Sequence, residues 1–179
     1  MNRLSRAELA ALIEGLADLP YGGEAVDQRT HALQTAAHAV EAGADDELVV
    51  AAALHDIGRA GAVAVRHRGM PHEHAGAAFA RERLTERIAW AIEQHVPAKR
   101  YLVAVDPDYH AGLSPVSVRS LRAQGGPMTP GEVAEFGAHP WATDAIALRR
   151  WDDAAKDPSG PVLPLDDLLD RYDRLSPEA

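Results

Sequence analysis

Residues 46–58 read DELVVAAALHDIG. The part from 48 to 54 is apolar on nearly every side of a helix, so we expect this helix to lie at the centre of the fold. The apolar run ends in His55 and Asp56, an imidazole and a carboxylate side by side. Burial of a carboxylate is costly unless it is paired or binds a metal ion. The segment therefore predicts both a central helix and a metal site at its end.

The composition narrows the classes of function. The chain has 179 residues, of which 46% are hydrophobic and 25% charged, the balance of a soluble domain with a sizeable core. Its 27 acidic and 18 basic residues give a net charge of -9, which argues against non-specific nucleic-acid binding. With no cysteine, disulfides, thiolate zinc sites and thiol nucleophiles are excluded. Nine histidines in such a chain indicate a nitrogen–oxygen metal site.

The N-terminal residues do not predict a secretion signal. The first residues, MNRLSRAELAALIEGL, are charged throughout and lack the apolar centre of a secretion signal. We find no stretch that is long and apolar enough to cross a bilayer. We therefore expect a cytoplasmic protein without membrane or nucleic-acid partners.

Helical periodicity dominates the rest of the sequence. Ser5 and Glu8 have the spacing of a capping box, followed by leucines at helical intervals. The paired glycines of YGGE at 21–24 predict a break, and the aperiodic segment 59–71 predicts a loop or lid. We predict helices over residues 5–17, 27–42, from 45 or 46 through 58, and over 73–84, 86–95, 115–123, 130–137, 142–154 and 165–174.

No segment predicts a strand, so the predicted fold class is all-α. We expect one helical domain over residues 1–179, with its core in about 18–155 and a last helix at 165–174.

The spacing of the histidines carries the metal hypothesis. His31 and His38 are seven residues apart and share one face of the second predicted helix. His55 and Asp56 point about 100° apart if both are helical, so the pair can serve two neighbouring metals, or one metal and a bridging carboxylate. A lone histidine in a helix is more often a surface or core residue. The apolar run before His55 favours the metal interpretation, with iron, zinc or manganese as the suitable ions.

The pattern of His31, His55–Asp56 and a late aspartate resembles the HD-domain superfamily, an all-α metal-binding fold in which most members are phosphohydrolases. Further segments resemble a narrower branch, the HD-domain mixed-valent diiron oxygenases of phosphonate degradation. These segments are YGGE at 21–24, HALQTA at 31–36, AALHDIG at 52–58, HEHAGA at 72–77, HVPAKRYL at 95–102, QGGPM at 124–128 and RRWD at 149–152. The resemblance covers about residues 18–155 and implies a single HD domain.

The resemblance implies two iron ions. One iron would be held by His31, His55, Asp56 and Asp152. Asp56 would bridge to the second iron, completed by His72 and His95. The chemistry of the residues does not separate His72 from His74, and the family pattern selects His72. The tryptophan–aspartate pair of the family likewise selects Asp152 over Asp153, and His38, His67, His110 and His139 are interpreted as surface or supporting residues.

Residues around the metals would handle the substrate. Tyr21 and Glu24 lie on a loop, where a packed tyrosine and an acid at a helix start are the ordinary interpretation. The resemblance implies that the Tyr21 phenolate occupies an iron at rest and that Glu24 accepts a cationic amine.

A phosphonate group would be bound by Lys99, Ser117 and Arg149. Gln124, together with Gln34, is a further candidate contact. Cationic and hydroxyl donors together suit a dianionic phosphonate.

The implied reaction is O2-dependent cleavage of a carbon–phosphorus bond. The substrate would be a 1-hydroxy-2-amino- or 1-hydroxy-2-trimethylammonio-ethylphosphonate, and the products glycine or glycine betaine with phosphate. Tyr21, Glu24, His55 and Asp56 would be the catalytic residues. The alternative is a metal-dependent phosphohydrolase of a phosphate ester or nucleotide, and a third possibility is a metal- or nucleotide-sensing regulator. The intact set of ligands counts against the regulator.

Overall fold

A computed structural model describes residues 3–17 and 19–175 of the chain, and in these ranges it contains helices and no strand. The all-α prediction is confirmed. The α-helices are α1 Arg6–Glu14, α2 Gln28–Glu41, α3 Asp46–Leu54, α4 Gly61–Arg66, α5 His72–Arg83, α6 Glu86–Val105, α7 Pro107–Ala111, α8 Pro115–Ala123, α9 Pro130–Gly137, α10 Ala142–Ala154 and α11 Leu165–Arg174. A 3-10 turn covers Ile57–Arg59.

The central helix is α3, as its sequence predicts. Every residue from 48 to 54 is buried, and α3 packs against α2, α6, α10 and α11. The helix begins at Asp45, whose carboxylate accepts a hydrogen bond of 3.0 Å from the amide of Leu48. Each large apolar side chain buried here contributes about 1.5–3 kcal/mol. This burial fixes the position of the two residues that follow, His55 and Asp56.

The turn that contains His55 and Asp56 packs closely against the start of α5. An added Cβ on Gly58 would overlap the backbone carbonyl of His72, and the amide of Gly76 would also be too close. Glycine is therefore required at position 58 for this close approach. The contact places the first residue of α5, His72, beside Asp56.

Three of the predicted segments differ from the structure. The helix predicted to run through residue 58 ends at Leu54, and a 3-10 turn follows at Ile57–Arg59. The helix predicted for 86–95 continues as α6 to Val105, through Pro97. A proline inside a helix costs about 3 kcal/mol, but Val96, Ala98 and Lys99 around it are buried, so packing outweighs that cost. The segment 59–71 is not a simple loop, because it contains the end of the 3-10 turn and α4. Helix α7 has no counterpart among the predicted helices.

The two ends of the described chain close the bundle. Ser5 and Glu8 form the predicted capping box at α1. The predicted last helix is α11, which packs on α1 and α3. Over the described ranges, no helix is both long and apolar enough to cross a membrane.

Candidate metal centre

Two groups of potential ligands lie next to each other at the end of α3. The first group contains His31, His55 and Asp152, and the second contains Asp56, His72 and His95. Within each group the ligand atoms lie within 4.8 Å of one another. Helices α2, α5, α6 and α10 each supply one residue, and the end of α3 supplies two. The structure thus gathers all six residues for which the sequence predicts metal binding.

Backbone carbonyls fix the orientation of three imidazoles. Nδ1 lies 2.7 Å from the carbonyl oxygen of Ala155 in His31, 2.8 Å from that of Ala52 in His55, and 2.6 Å from that of Ile92 in His95. A carbonyl oxygen can only accept, so each Nδ1 carries the proton and donates. In the neutral ring, each Nε2 then presents a lone pair to the site.

These lone pairs converge in a way that fits a metal ion. Nε2 of His31 lies 3.0 Å from Nε2 of His55. Nε2 of His72 lies 3.3 Å from Nε2 of His95. Two nitrogen atoms at this distance repel unless a proton or a cation lies between them. In the second pair burial opposes protonation of His72, but the Asp56 carboxylate outweighs it and raises the pKa of His72 to about 8. Burial lowers the pKa of His55, and burial together with His55 and His72 lowers the pKa of His95 to about 3. Neutral imidazoles are the form that binds metals.

Asp56 connects the two groups. Its Oδ2 lies 3.8 Å from Nε2 of His55 in the first group. Its Oδ1 lies 2.9 Å from Nε2 of His72 and 3.8 Å from Nε2 of His95 in the second. Oδ1 is buried and accepts no hydrogen bond of good geometry. A carboxylate with one oxygen toward each group is suited to bridge two cations.

Asp152 belongs to the first group. Its Oδ1 lies 3.3 Å from Nε2 of His31, while its Oδ2 accepts a hydrogen bond of 2.7 Å from Arg149. Burial opposes ionisation, but the Arg149 guanidinium outweighs it and holds the pKa of Asp152 well below its usual range. Asp153 points elsewhere and pairs with Arg149 and Tyr109. As expected for adjacent residues on a helix, one of the two acids faces the cluster and the other does not.

Tyr21 covers the first group. Its ring stacks on His31 with centroids 3.8 Å apart, and its hydroxyl donates to Oδ1 of Asp152 at 3.0 Å. Burial and the charge of Asp152 raise the pKa of this phenol well above its usual value. The predicted break in the chain lies directly after Tyr21, where Gly22 and Gly23 have φ angles of 57° and 96°. These left-handed conformations suit glycine and turn Glu24 toward the same site.

A cavity of about 90 Å³ lies beside the centre. Five of the six predicted substrate contacts line it: Glu24, Lys99, Ser117, Gln124 and Arg149. Its volume is well below the range of roughly 300–1,000 Å³ for drug-sized ligands, so it suits a ligand of few atoms. Gln34 is not among the lining residues and donates to the carbonyl of Asp157.

The cationic residues of the cavity have partners. The Lys99 ammonium donates to Oγ of Ser120 at 2.7 Å, and burial together with the charge of Arg149 lowers the pKa of Lys99 to about 8. Arg149 is buried between Asp152 and Asp153. Lys99 therefore carries the more labile positive charge of the two.

Two cationic residues of the cavity were not predicted from the sequence. Arg59 has its Nε 3.1 Å from Oδ1 of Asp56 and its Nη2 3.0 Å from Nε2 of His72. Lys156 lies 3.0 Å from Oγ of Ser117. Both could have been noticed by spacing, since Arg59 follows Asp56 by three residues and Lys156 follows Asp152 by four.

The remaining histidines lie outside both groups. His74 is half exposed and contacts Glu93 at 3.1 Å. His139 stacks on Trp90 with ring centroids 4.0 Å apart. His38 lies near Glu41, at 3.6 Å. His67 and His110 are likewise absent from the two groups.

The all-α bundle, with ligands from five helices meeting at a His-Asp turn, defines the class. Residues 29–129 match the HD domain, which is more than half of the chain, and the protein belongs to the HD-domain family. The predicted superfamily is thereby confirmed.

Relatives of known name identify the branch. The chain is 38% identical over 169 residues to the [1-hydroxy-2-(trimethylamino)ethyl]phosphonate dioxygenase (glycine-betaine-forming) of Leisingera caerulea, with 87% of this chain and 84% of the relative covered. It is 43% identical over 141 residues to the hydroxymethylphosphonate dioxygenase of Gimesia maris, with 74% and 69% covered. An uncharacterized protein of Acanthamoeba polyphaga mimivirus is 34% identical over 170 residues, with 87% and 74% covered. The chain belongs to the branch that contains these phosphonate dioxygenases.

Proposed function

We propose that this protein is a diiron oxygenase that cleaves the carbon–phosphorus bond of a small 1-hydroxyphosphonate. The observation that carries the proposal is the pair of ligand groups joined by Asp56, next to a cavity with phosphonate-binding side chains. The names of the two phosphonate dioxygenases support the class of reaction.

In this proposal the metals are an Fe2+/Fe3+ pair. His31, His55 and Asp152 would hold one ion, His72 and His95 would hold the other, and Asp56 would bind both. Nitrogen and carboxylate ligands suit iron. When bound, the pair supplies Lewis acidity and the redox chemistry that O2 requires.

The side chains around the cavity would position the substrate. We propose a 1-hydroxy-2-amino- or 1-hydroxy-2-trimethylammonio-ethylphosphonate. Lys99, Ser117 and Gln124 would bind its phosphonate oxygens, with Arg149 providing positive charge behind them. Glu24 would face the amine. Such contacts fix the C1–H bond relative to the metals, which is the main contribution a protein makes to such a reaction.

The reaction balances with O2 as the oxidant. The hydroxyphosphonate dianion and O2 give a carboxylate, hydrogen phosphate and one proton. By composition, the two atoms of O2 account for one additional oxygen in each product. The C–H and C–P bonds of C1 are broken, and C1 becomes the carboxyl carbon of glycine or glycine betaine.

Tyr21 would act as a cover for the first group. It lies against His31 and hydrogen-bonds to Asp152, so it occupies the space next to the ligands. The adjoining glycines allow the loop to move, and we propose that the substrate hydroxyl and phosphonate displace the phenol. A hydrolase of phosphate esters has no evident use for this tyrosine.

The test is a comparison of O2-dependent and O2-independent phosphate release by protein purified without air. The panel contains hydroxymethylphosphonate, the 2-amino and 2-trimethylammonio compounds, and p-nitrophenyl phosphate. We expect two irons per chain, the EPR signal of a mixed-valent pair, and one phosphate released per O2 consumed. Ester hydrolysis without O2 uptake would instead establish the phosphohydrolase, and metal binding without turnover would favour a regulator.

A further inference from the structure

Lys156 lies between the part of the cavity that is proposed to bind the phosphonate and the part that is proposed to bind the amine. Its ammonium is 3.0 Å from Oγ of Ser117, at the proposed phosphonate end. It is 3.8 Å from Oε1 of Glu24, at the proposed amine end. It also lies 3.4 Å from Oδ1 of Asp153 and 6.0 Å from the ring centroid of Tyr21. The Lys156 side chain is only 11% exposed, so it cannot turn freely into water.

Glu24 is not a free carboxylate in this arrangement. Its Oε1 accepts a hydrogen bond of 2.6 Å from Oγ of Ser114, and the same oxygen faces Lys156. The Glu24 side chain is 14% exposed. A charge that is this far removed from water interacts with its neighbours much more strongly than an exposed charge does. Lys156, which also pairs with Asp153, therefore offsets part of the negative charge that the substrate amine is proposed to meet.

We propose that Lys156 is a specificity-determining residue that sets how strongly the cavity prefers a cationic substrate tail. This inference rests on the proposed function. A substrate ammonium must compete with Lys156 for Glu24, so the native protein distinguishes a cationic tail from no tail less sharply than Glu24 alone would. Lys156 thereby broadens the class of accepted substrates toward hydroxymethylphosphonate.

A purely phosphonate-binding role makes a different prediction. The contact with Ser117 would then be the important one, and removal of Lys156 would weaken every phosphonate alike. If Lys156 instead acts as a counter-ion of Glu24, its removal changes the ratio of the dissociation constants of the two substrates. The two roles are therefore separated by comparing ligands that share the phosphonate and differ in the tail.

The experiment uses iron-loaded Lys156→Met protein. Dissociation constants for hydroxymethylphosphonate and 1-hydroxy-2-aminoethylphosphonate are measured by calorimetry without O2, and kcat and KM with O2. We expect the ratio of the two dissociation constants to shift by at least about tenfold toward the amine, with most of the kinetic change in KM. An equal loss for both ligands, or an unchanged ratio, would overturn the proposal.

Four further variants are measured in the same way. Lys156→Arg retains the charge and should retain the native ratio. Glu24→Gln should shift the ratio in the opposite direction, and the double variant with Lys156→Met should lose most of the effect of either change. Arg150→Gln is the matched control, because it removes one positive charge from an exposed residue of α10 that pairs with Asp106.

The outcome separates this inference from the proposed function. If the native protein releases no phosphate from any phosphonate, the proposed function fails. The calorimetric ratio needs no turnover and decides the role of Lys156 by itself. If Lys156→Met does not fold, Lys156→Gln provides the same loss of charge with a polar side chain.

Discussion

The two ligand groups are alike in residue type and differ in access. In the first group, His31, His55 and Asp152 are each at most 2% exposed, and Tyr21 lies over them. In the second, the side chain of His72 is 14% exposed, and the neighbouring Arg59 side chain is 43% exposed. The first group is thus enclosed by the protein, and the second lies close to solvent.

The difference comes from the positions of the ligands on their helices. His31 and Asp152 lie inside long packed helices, and their partners Ala155 and Arg149 hold them from behind. His72 is the first residue of α5, so no earlier turn of that helix covers its side chain. We therefore expect the first group to bind its metal more tightly and the second to exchange its metal more readily.

The largest expected effect comes from breaking the link between the groups. Asp56→Ala removes the carboxylate that faces both, so we expect loss of both irons and of all phosphonate-dependent O2 uptake. Metal analysis of protein purified without air measures this, and circular dichroism checks the fold. Retention of two irons would show that Asp56 does not bridge.

A more selective change affects only the exposed group. His72→Ala removes one nitrogen ligand of the second group and leaves the first untouched. We expect about one iron per chain, loss of the mixed-valent EPR signal, and a fall in activity of more than about 100-fold.

The neighbouring histidine provides the control for that variant. His74 is on the same helix, half exposed, and outside both groups. His74→Ala should keep both irons and near-native activity. If His74→Ala loses iron while His72→Ala does not, the assignment of the second group is wrong.

The pH dependence of substrate binding tests the role of Lys99 in the cavity beside the enclosed group. The pKa of Lys99 is lowered to about 8 by burial and by Arg149, so its charge is lost as the pH rises through about 8. At pH 9 roughly a tenth of Lys99 stays protonated, and KM should be about tenfold higher than at pH 7. Lys99→Arg keeps its charge at this pH and should abolish the rise in KM. An identical pH profile in that variant would mean that another group titrates.

We expect the smallest effect from a change in Tyr21, which covers the first group. Tyr21→Phe keeps the ring on His31 and removes one hydrogen bond to the Asp152 carboxylate, worth about 1.5–3 kcal/mol. We expect both irons to remain, KM to change by a few-fold, and any visible absorption from an iron-bound phenolate to disappear. Loss of iron would make Tyr21 part of the structural ligand set.

Much of the site could be predicted because its signals are local. The apolar run of α3 predicts a buried helix, and a carboxylate at its end predicts a pairing partner or a metal. The choices of His72 over His74 and Asp152 over Asp153 depended on resemblance to a family. Spacing alone could not make these choices, because residues so close together on a helix have the same local sequence signals.

Other features depend on contacts between distant segments. The continuation of α6 through Pro97 is decided by the burial of residues on both sides, which a local helix propensity does not contain. The spacing of Arg59 and Lys156 from Asp56 and Asp152 is a weak signal, and only the folded cavity shows that both side chains line the site. Their local sequence is that of ordinary charged residues.

The sequence by itself determined the all-α class, the central helix, and the residue types available for binding two metals. Only the tertiary structure decided that Asp56 reaches both groups, that one group is enclosed and the other accessible, and that Lys156 faces Glu24. Hydrophobic periodicity and helix caps act within a few residues and can be read along the chain. Ligand geometry and charge pairing join residues that are far apart in the chain, such as Glu24 and Lys156 at a separation of 132 positions, and exist only after the helices pack.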